Sequence, residues 1–151
     1  MRTIKFRGKR IDNGEWVCGS LFNGAAPTDN KPYSIILTDE KYDAEGHLPK
    51  DIALGFHDDE VFIIETNSVG QFTGLTDKNG NEIYEGDIVK TKQFGKIHKE
   101  VNYAGYDIFE IQYINAQFMF FNEQRQFYLH RNTLCEIIGN IHDNPELIKQ
   151  N

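Results

Sequence analysis

The run Ser68-Val-Gly-Gln-Phe-Thr-Gly-Leu-Thr-Asp-Lys-Asn-Gly-Asn-Glu-Ile-Tyr-Glu-Gly-Asp-Ile-Val89 reads as two strand entries wrapped around an Asn79-Gly80 turn. Asn-Gly is among the strongest short-range hairpin signals, because the tightest hairpin turns need positive φ at their central residues. Ahead of it, Gly70 to Leu75 is a short strand whose glycines permit a bulge or a close backbone approach. After it, Ile83 and Tyr84 begin the return, Glu85-Gly86-Asp87 makes a second reversal, and Ile88-Val89 opens a new strand. The run is thus a strong folding signal, and it contains no residue set that a known reaction chemistry requires.

Working outward, the chain reads as strands and turns almost throughout. Thr3 to Arg10 alternates Ile4, Phe6 and Gly8 with Lys5, Arg7 and Lys9, and Asp12-Asn13-Gly14 reverses it into Trp16 to Phe22. Phe6 and Trp16 are natural core anchors for this hairpin. Asn23 to Lys31 is a loop by composition, Tyr33 to Thr38 a strand, and Asp39 to Lys50 a long polar loop that could act as a lid. Asp51 to Phe56 and Glu60 to Thr66 read as further strands. Beyond Val89, strands are expected at Lys96 to Asn102, Asp107 to Ile114, Phe118 to Asn122, Gln126 to Leu129 and Leu134 to Ile141. Asn144 as N-cap and Pro145 as first helical residue predict a short C-terminal helix.

The expectation is therefore a mostly β protein in two small subdomains, residues 1–66 and 67–151. The second carries the Gly70 to Val89 run and resembles an SH3-like or other small barrel. At 151 residues, with 39% hydrophobic and 13% aromatic content, the chain can bury a useful core. No apolar run approaches the roughly 20 residues of a membrane helix, and the N-terminal segment lacks a signal-peptide apolar block, so a cytoplasmic address is expected.

Gly70-Gln71-Phe72-Thr73-Gly74-Leu75, Asp77, Asn79-Gly80 and Ile83-Tyr84-Glu85-Gly86-Asp87 form a pattern that resembles the signature of the YopX family. Ile4-Lys-Phe-Arg-Gly8 with Trp16-Val-Cys-Gly-Ser20, and Glu136 to Leu147, agree with it. The resemblance implies a β-rich fold and a home in phages and prophages, with no established biochemical activity. These signature residues are candidates for either folding or recognition.

Chemistry is sparse. Cys18 and Cys135 show no metal-ligand spacing and sit in apolar strand contexts, so both are expected to be buried thiols. His57-Asp-Asp-Glu60 is the one local cluster of hard ligands, but adjacent residues on a tight turn rarely converge, and a solvated acidic turn is the plainer reading. Asp77-x-Asn79 echoes a calcium loop, yet Gly80 falls early and Ile88 occupies the place of the closing glutamate. No nucleophile elbow or phosphate loop is present. No catalytic residue, metal ligand or cofactor is assigned.

A net charge of −7 disfavours generic attraction to a polyanion. Its distribution is uneven, for the first ten residues hold Arg2, Lys5, Arg7, Lys9 and Arg10 and no acid. A nucleic-acid binder would use Lys5, Arg7, Lys9 and Arg10 with the aromatics around Phe118 to Leu129 as a stacking platform. Cross-strand aromatic pairing in a core explains those aromatics more simply. The favoured expectation is an accessory protein that binds an unidentified phage or host protein, with self-association compatible. Nucleic-acid binding comes second, and metal-assisted hydrolysis through His57 to Glu60 a distant third.

Overall fold

The computed structural model describes residues 3–25, 32–37, 61–92, 106–129 and 134–148. The expected loop over 39–50, the strand over 51–56, the tetrad at 57–60 and the strand over 96–102 lie outside the described residues. The described chain is mostly β, with two antiparallel sheets and helical geometry only in the 3-10 turns Thr66–Ser68 and Pro145–Leu147. Two compact units divide it, Met1–Gln71 and Phe72–Asn151.

In the first unit, β1 (Phe6–Lys9), β2 (Trp16–Ala25), β3 (Pro32–Leu37) and β4 (Val61–Ile64) pair in the order β4-β3-β2-β1. Gly70 and Gln71, which open β5 (Gly70–Thr76), pair on the other side of β1. The first turn forms where Asp12-Asn13-Gly14 predicts it, with Gly14 at φ 74° and the Asn13 side-chain oxygen accepting the Glu15 N–H at 2.9 Å. β1 begins only at Phe6, the first residue with a partner in β2, and Ile4 ahead of it is exposed. β2 runs on through Asn23, Gly24 and Ala25, which composition assigns to a loop, because Ser34, Tyr33 and Pro32 of β3 supply a ladder for them. A paired neighbour satisfies backbone groups whatever the intrinsic preference of the residue.

The register fixes the two faces. Ser34, Ile36 and Ile64 are buried on one, where a Cβ on Gly8 would overlap the Ile64 side chain. On the other lie Arg7 opposite Cys18, Lys9 opposite Trp16, and Phe22 and Ile63, which share Ile35 of β3 as their register partner. A single bridge, Arg10 to Ile64, ties the chain beyond β1 to β4, with Ile11 N–H donating to Ile63 O at 3.1 Å and Glu65 N–H to Lys9 O at 2.8 Å. Ile11 thereby joins the row of Ile63 and Phe22. Phe6 and Trp16 are only half-buried, and Cys18 is exposed rather than buried, since it faces outward beside Arg7.

The second unit contains the rest of β5, β6 (Glu82–Tyr84), and a meander of β7 (Asp87–Lys92), β8 (Tyr106–Ile114), β9 (Gln117–Asn122), β10 (Arg125–Tyr128) and β11 (Cys135–Asn140), ordered β10-β9-β8-β7-β11. Ile83, Val89, Phe109, Ile111, Phe118, Phe120 and Cys135 form its core, with Phe127 and Leu129 packed against it. Phe109 meets Phe120 and Phe127 edge-on at 5.7 and 6.0 Å, so these aromatics pair in the core. Among the described residues the sheet stays open and no closed barrel forms. β10 and β11 do not pair, and β11 instead uses backbone groups on the signature turn, with Lys78 N–H donating to Cys135 O at 2.9 Å.

The expected C-terminal helix is a single 3-10 turn at Pro145–Leu147. Asn144 does not cap it. Its side-chain oxygen turns back to the Asn140 N–H at 3.4 Å, while Asn140 Oδ1 accepts the N–H groups of His142 and Asp143, both at 2.9 Å. These Asx bonds favour a tight turn over a continuing helix.

Candidate functional site

The signature gathers around Asp77, which is buried at the end of β5. Its Oδ1 accepts the N–H groups of Asn79 at 2.8 Å and Asn81 at 2.9 Å, closing an Asx turn in which Gly80 takes φ 88°. Its Oδ2 accepts the Ile137 N–H and the Asn81 side-chain amide, each at 3.2 Å. Burial alone would raise the Asp77 pKa, but the backbone donors of Asn81, Ile137 and Asn79 outweigh it and hold the carboxyl below its ordinary value.

The other signature residues are engaged in the same way. Thr73 Oγ1 donates to Ile83 O at 2.9 Å, and the Asp87 carboxylate accepts the Tyr84 N–H at 2.7 Å. Gly86, at φ 80°, donates to Ile111 O at 2.8 Å and accepts the Ile141 N–H at 2.9 Å. Tyr84 OH donates to Glu82, and its ring lies 5.5 Å from that of Phe72. Ile83 is a core residue and Leu75 packs against the core. Glu85 and Gln71 are half-buried, while Gly74, Asn79 and Gly80 face solvent. These side chains answer buried backbone groups and do not converge on a common cleft. Among the described residues no three His, Cys, Asp or Glu side chains gather.

Two other places carry chemistry. A shallow cleft of about 200 Å³ is lined by Asp107, Asn122, Glu123, Gln124 and Ile148. Asn122 is committed there to its own strands and turn, donating to Ile108 O at 3.1 Å and accepting the Gln124 N–H at 3.0 Å. Separately, half-buried Glu110 has its pKa raised, by burial first and by the Glu85 charge, against a hydrogen bond to Gln112. Among the described residues, neither place holds an acid, base and nucleophile together.

The basic strand splits. Arg7 stacks its guanidinium 4.9 Å over the Trp16 ring, on the face that also carries Lys9. Lys5, half-buried, stands ahead of β1 and outside its pairing. Arg10 lies elsewhere, 4.3 Å over the Phe62 ring, and its Nε donates to Asp12 at 2.9 Å with Glu15 at 3.8 Å. The aromatics of the second unit divide as well, since Phe118 and Phe120 are buried whereas Tyr113 and Tyr128 remain about half exposed at 49% and 54%.

Outer-face exposure in the first unit is not visible to sequence reasoning. Ile11, Ile63 and Phe22 are 61%, 56% and 53% exposed. The signal is Val61-Phe-Ile-Ile64, a run apolar on both faces, which ordinarily reads as a strand buried on both sides. Here Ile64 is buried, Phe62 half-buried and Ile63 exposed.

The family model described as YopX protein matches residues 5–149. The chain is also similar to a solved structure, the crystal structure of protein EF1440 from Enterococcus faecalis, at 22% identity and TM-score 0.51 over 98% of this chain and 99% of that one. At that identity the likeness shows the fold alone. No curated protein matches the chain. Among the described residues no helix is long and apolar enough to cross a membrane.

Proposed function

Because the chain belongs to the YopX family, and because its signature side chains are spent on holding turns and strands, we propose that the protein is a cytoplasmic phage or prophage accessory protein that acts by binding another protein. The observation that carries this reading is the exposed apolar row Ile11, Ile63 and Phe22 on the outer face of the first unit. Large apolar side chains grouped on one face of a sheet favour association over solvation, and a docking face needs no deep pocket. The exposed remainder of the signature, Asn79 to Asn81, would be a scaffold feature on this reading.

Nucleic-acid binding is the second reading, supported by Arg7 and Lys9 on β1 with Lys5 just ahead of it. It loses Arg10 to Asp12, and Phe118 and Phe120 to the core. The test is capture by tagged protein from phage-bearing and phage-free lysates under nuclease and salt controls, run beside Ile63→Asp. A protein retained after nuclease treatment by the parent and released by the variant supports docking. Retention of nucleic acid alone, lost at high salt, supports the second reading.

A further inference from the structure

We propose that the signature turn guards the edge of β11, standing where the β11 strand of a second copy would otherwise pair. Among the described residues, β7 is the one strand that pairs with β11. The backbone groups on the far side of an edge strand are a template for another chain unless something covers them. On β11 they are covered. Lys78 N–H donates to Cys135 O at 2.9 Å, and the Asp77 carboxylate accepts the Ile137 N–H at 3.2 Å. Farther along, Asn144 Oδ1 accepts the Asn140 N–H at 3.4 Å.

The first two bonds copy a strand pairing. A parallel neighbour of Glu136 would donate its own N–H to the Cys135 carbonyl and accept the Ile137 N–H on its own carbonyl. Lys78 makes the first bond, and the Asp77 carboxylate stands in for the carbonyl in the second. Side chains fall in step as they do between paired strands, with Lys78 Nζ 2.7 Å from Glu136 Oε2. The copy is one residue long, because Gly80 at φ 88° turns the chain back. Beyond Ile137 the register of β11 shifts before Gly139, an irregularity that bends an edge away from pairing. A Cβ on Gly139 would overlap Asn144 Oδ1, so the closing turn presses against the strand there.

A bared edge of β11 meets its own twin at any protein concentration, and a two-fold pair sets the same groups against each other. In an antiparallel pair centred on Ile137, each Ile137 N–H would reach the other copy's Ile137 carbonyl, using the donor that Asp77 now occupies. The guard lies within the second unit and is independent of the docking row in the first.

Two variants uncover the edge separately. Asp77→Ala removes the acceptor for Ile137. Lys78→Pro removes the donor to Cys135 at the second position of the Asp77 to Gly80 turn, a place that proline suits. Ile111→Ala weakens the same core and leaves the edge covered. The probe is a fluorescent peptide of residues 134–140 carrying Cys135→Ser, beside the same peptide with Ile137→Pro added, which lacks the central N–H. Both uncovered variants are expected to bind the first peptide about tenfold more tightly than the parent does, and more tightly than they bind the proline peptide. In sedimentation velocity they should form larger species as concentration rises, while the parent and Ile111→Ala do neither. Circular dichroism identifies the folded variants, and Lys78→Pro carries the same criteria alone where Asp77→Ala does not fold. Equal peptide binding by the parent, no binding by a folded uncovered variant, or equal association of Ile111→Ala overturns the proposal.

Discussion

Asp77 and Ile137 are 60 positions apart, and the carboxylate of the first accepts the backbone N–H of the second at 3.2 Å. One buried side chain therefore closes its own turn and pins that turn to β11, coupling a local motif to a distant strand. A buried acceptor that satisfies several N–H groups stabilises most through what its loss would leave unpaired.

Asp77→Asn keeps the size of the side chain but turns one acceptor into a donor facing Ile137 N–H or the Asn79 and Asn81 amides. The expected cost is about 1–3 kcal/mol, read as a lower urea midpoint with an unchanged slope. An unchanged midpoint would remove Asp77 from the account of stability.

The same carboxyl sets a pH dependence. Its folded-state pKa is depressed, so its stabilisation is fully present above the ordinary value of 3.8 and is lost as pH falls toward its lower folded value. Urea midpoints measured downward from about pH 5 should fall more steeply in the parent than in Asp77→Asn. Parallel curves would contradict the assignment.

Gly8 faces Ile64 so closely that a Cβ would overlap Cδ1 of Ile64 and stand 3.1 Å from its Cβ. Gly8→Ala is expected to destabilise by about 1–3 kcal/mol. Ile64→Val, by removing the clashing methyl, should recover part of that loss in a double-mutant cycle. Strictly additive effects would mean that the two side chains do not meet.

The β8–β9 hairpin turns through Asn115 at φ 50° and Ala116 at φ 62°. Alanine pays a steric cost of roughly 1–2 kcal/mol in that region, where this turn prefers Asn-Gly. Ala116→Gly should raise the thermal midpoint, because the relief exceeds the entropy that glycine loses on folding. A lowered midpoint would show that this turn does not require positive φ.

Burial pushes the Cys135 thiol up to about 11, with the Asp77 and Asp87 carboxylates adding to the shift, whereas Cys18 is exposed. In native protein at neutral pH one thiol should label readily with a maleimide, and the second only in denaturant. Rapid labelling of both would place Cys135 outside the core.

Much of this architecture was legible beforehand because it depends on short-range chemistry. Asn13-Gly14 and Asn79-Gly80 reverse the chain where their dihedral freedom predicts, and Phe109 to Tyr113 alternates as a half-buried strand must. Local preference failed where a distant partner intervened. Asn23 to Ala25 became strand because β3 pairs with them, and Asn144 gave up its capping role to the turn made by Asn140.

By itself, then, the sequence determined the strand-and-turn grammar and the family, since turn propensity and period-two alternation act within a few residues. Only the tertiary structure decided that Cys18 faces outward, that Arg7 and Trp16 share a face with the Ile63 row, and that Asp77 reaches β11. Alternation defines two faces for every strand, but which face is covered depends on elements far away in the chain.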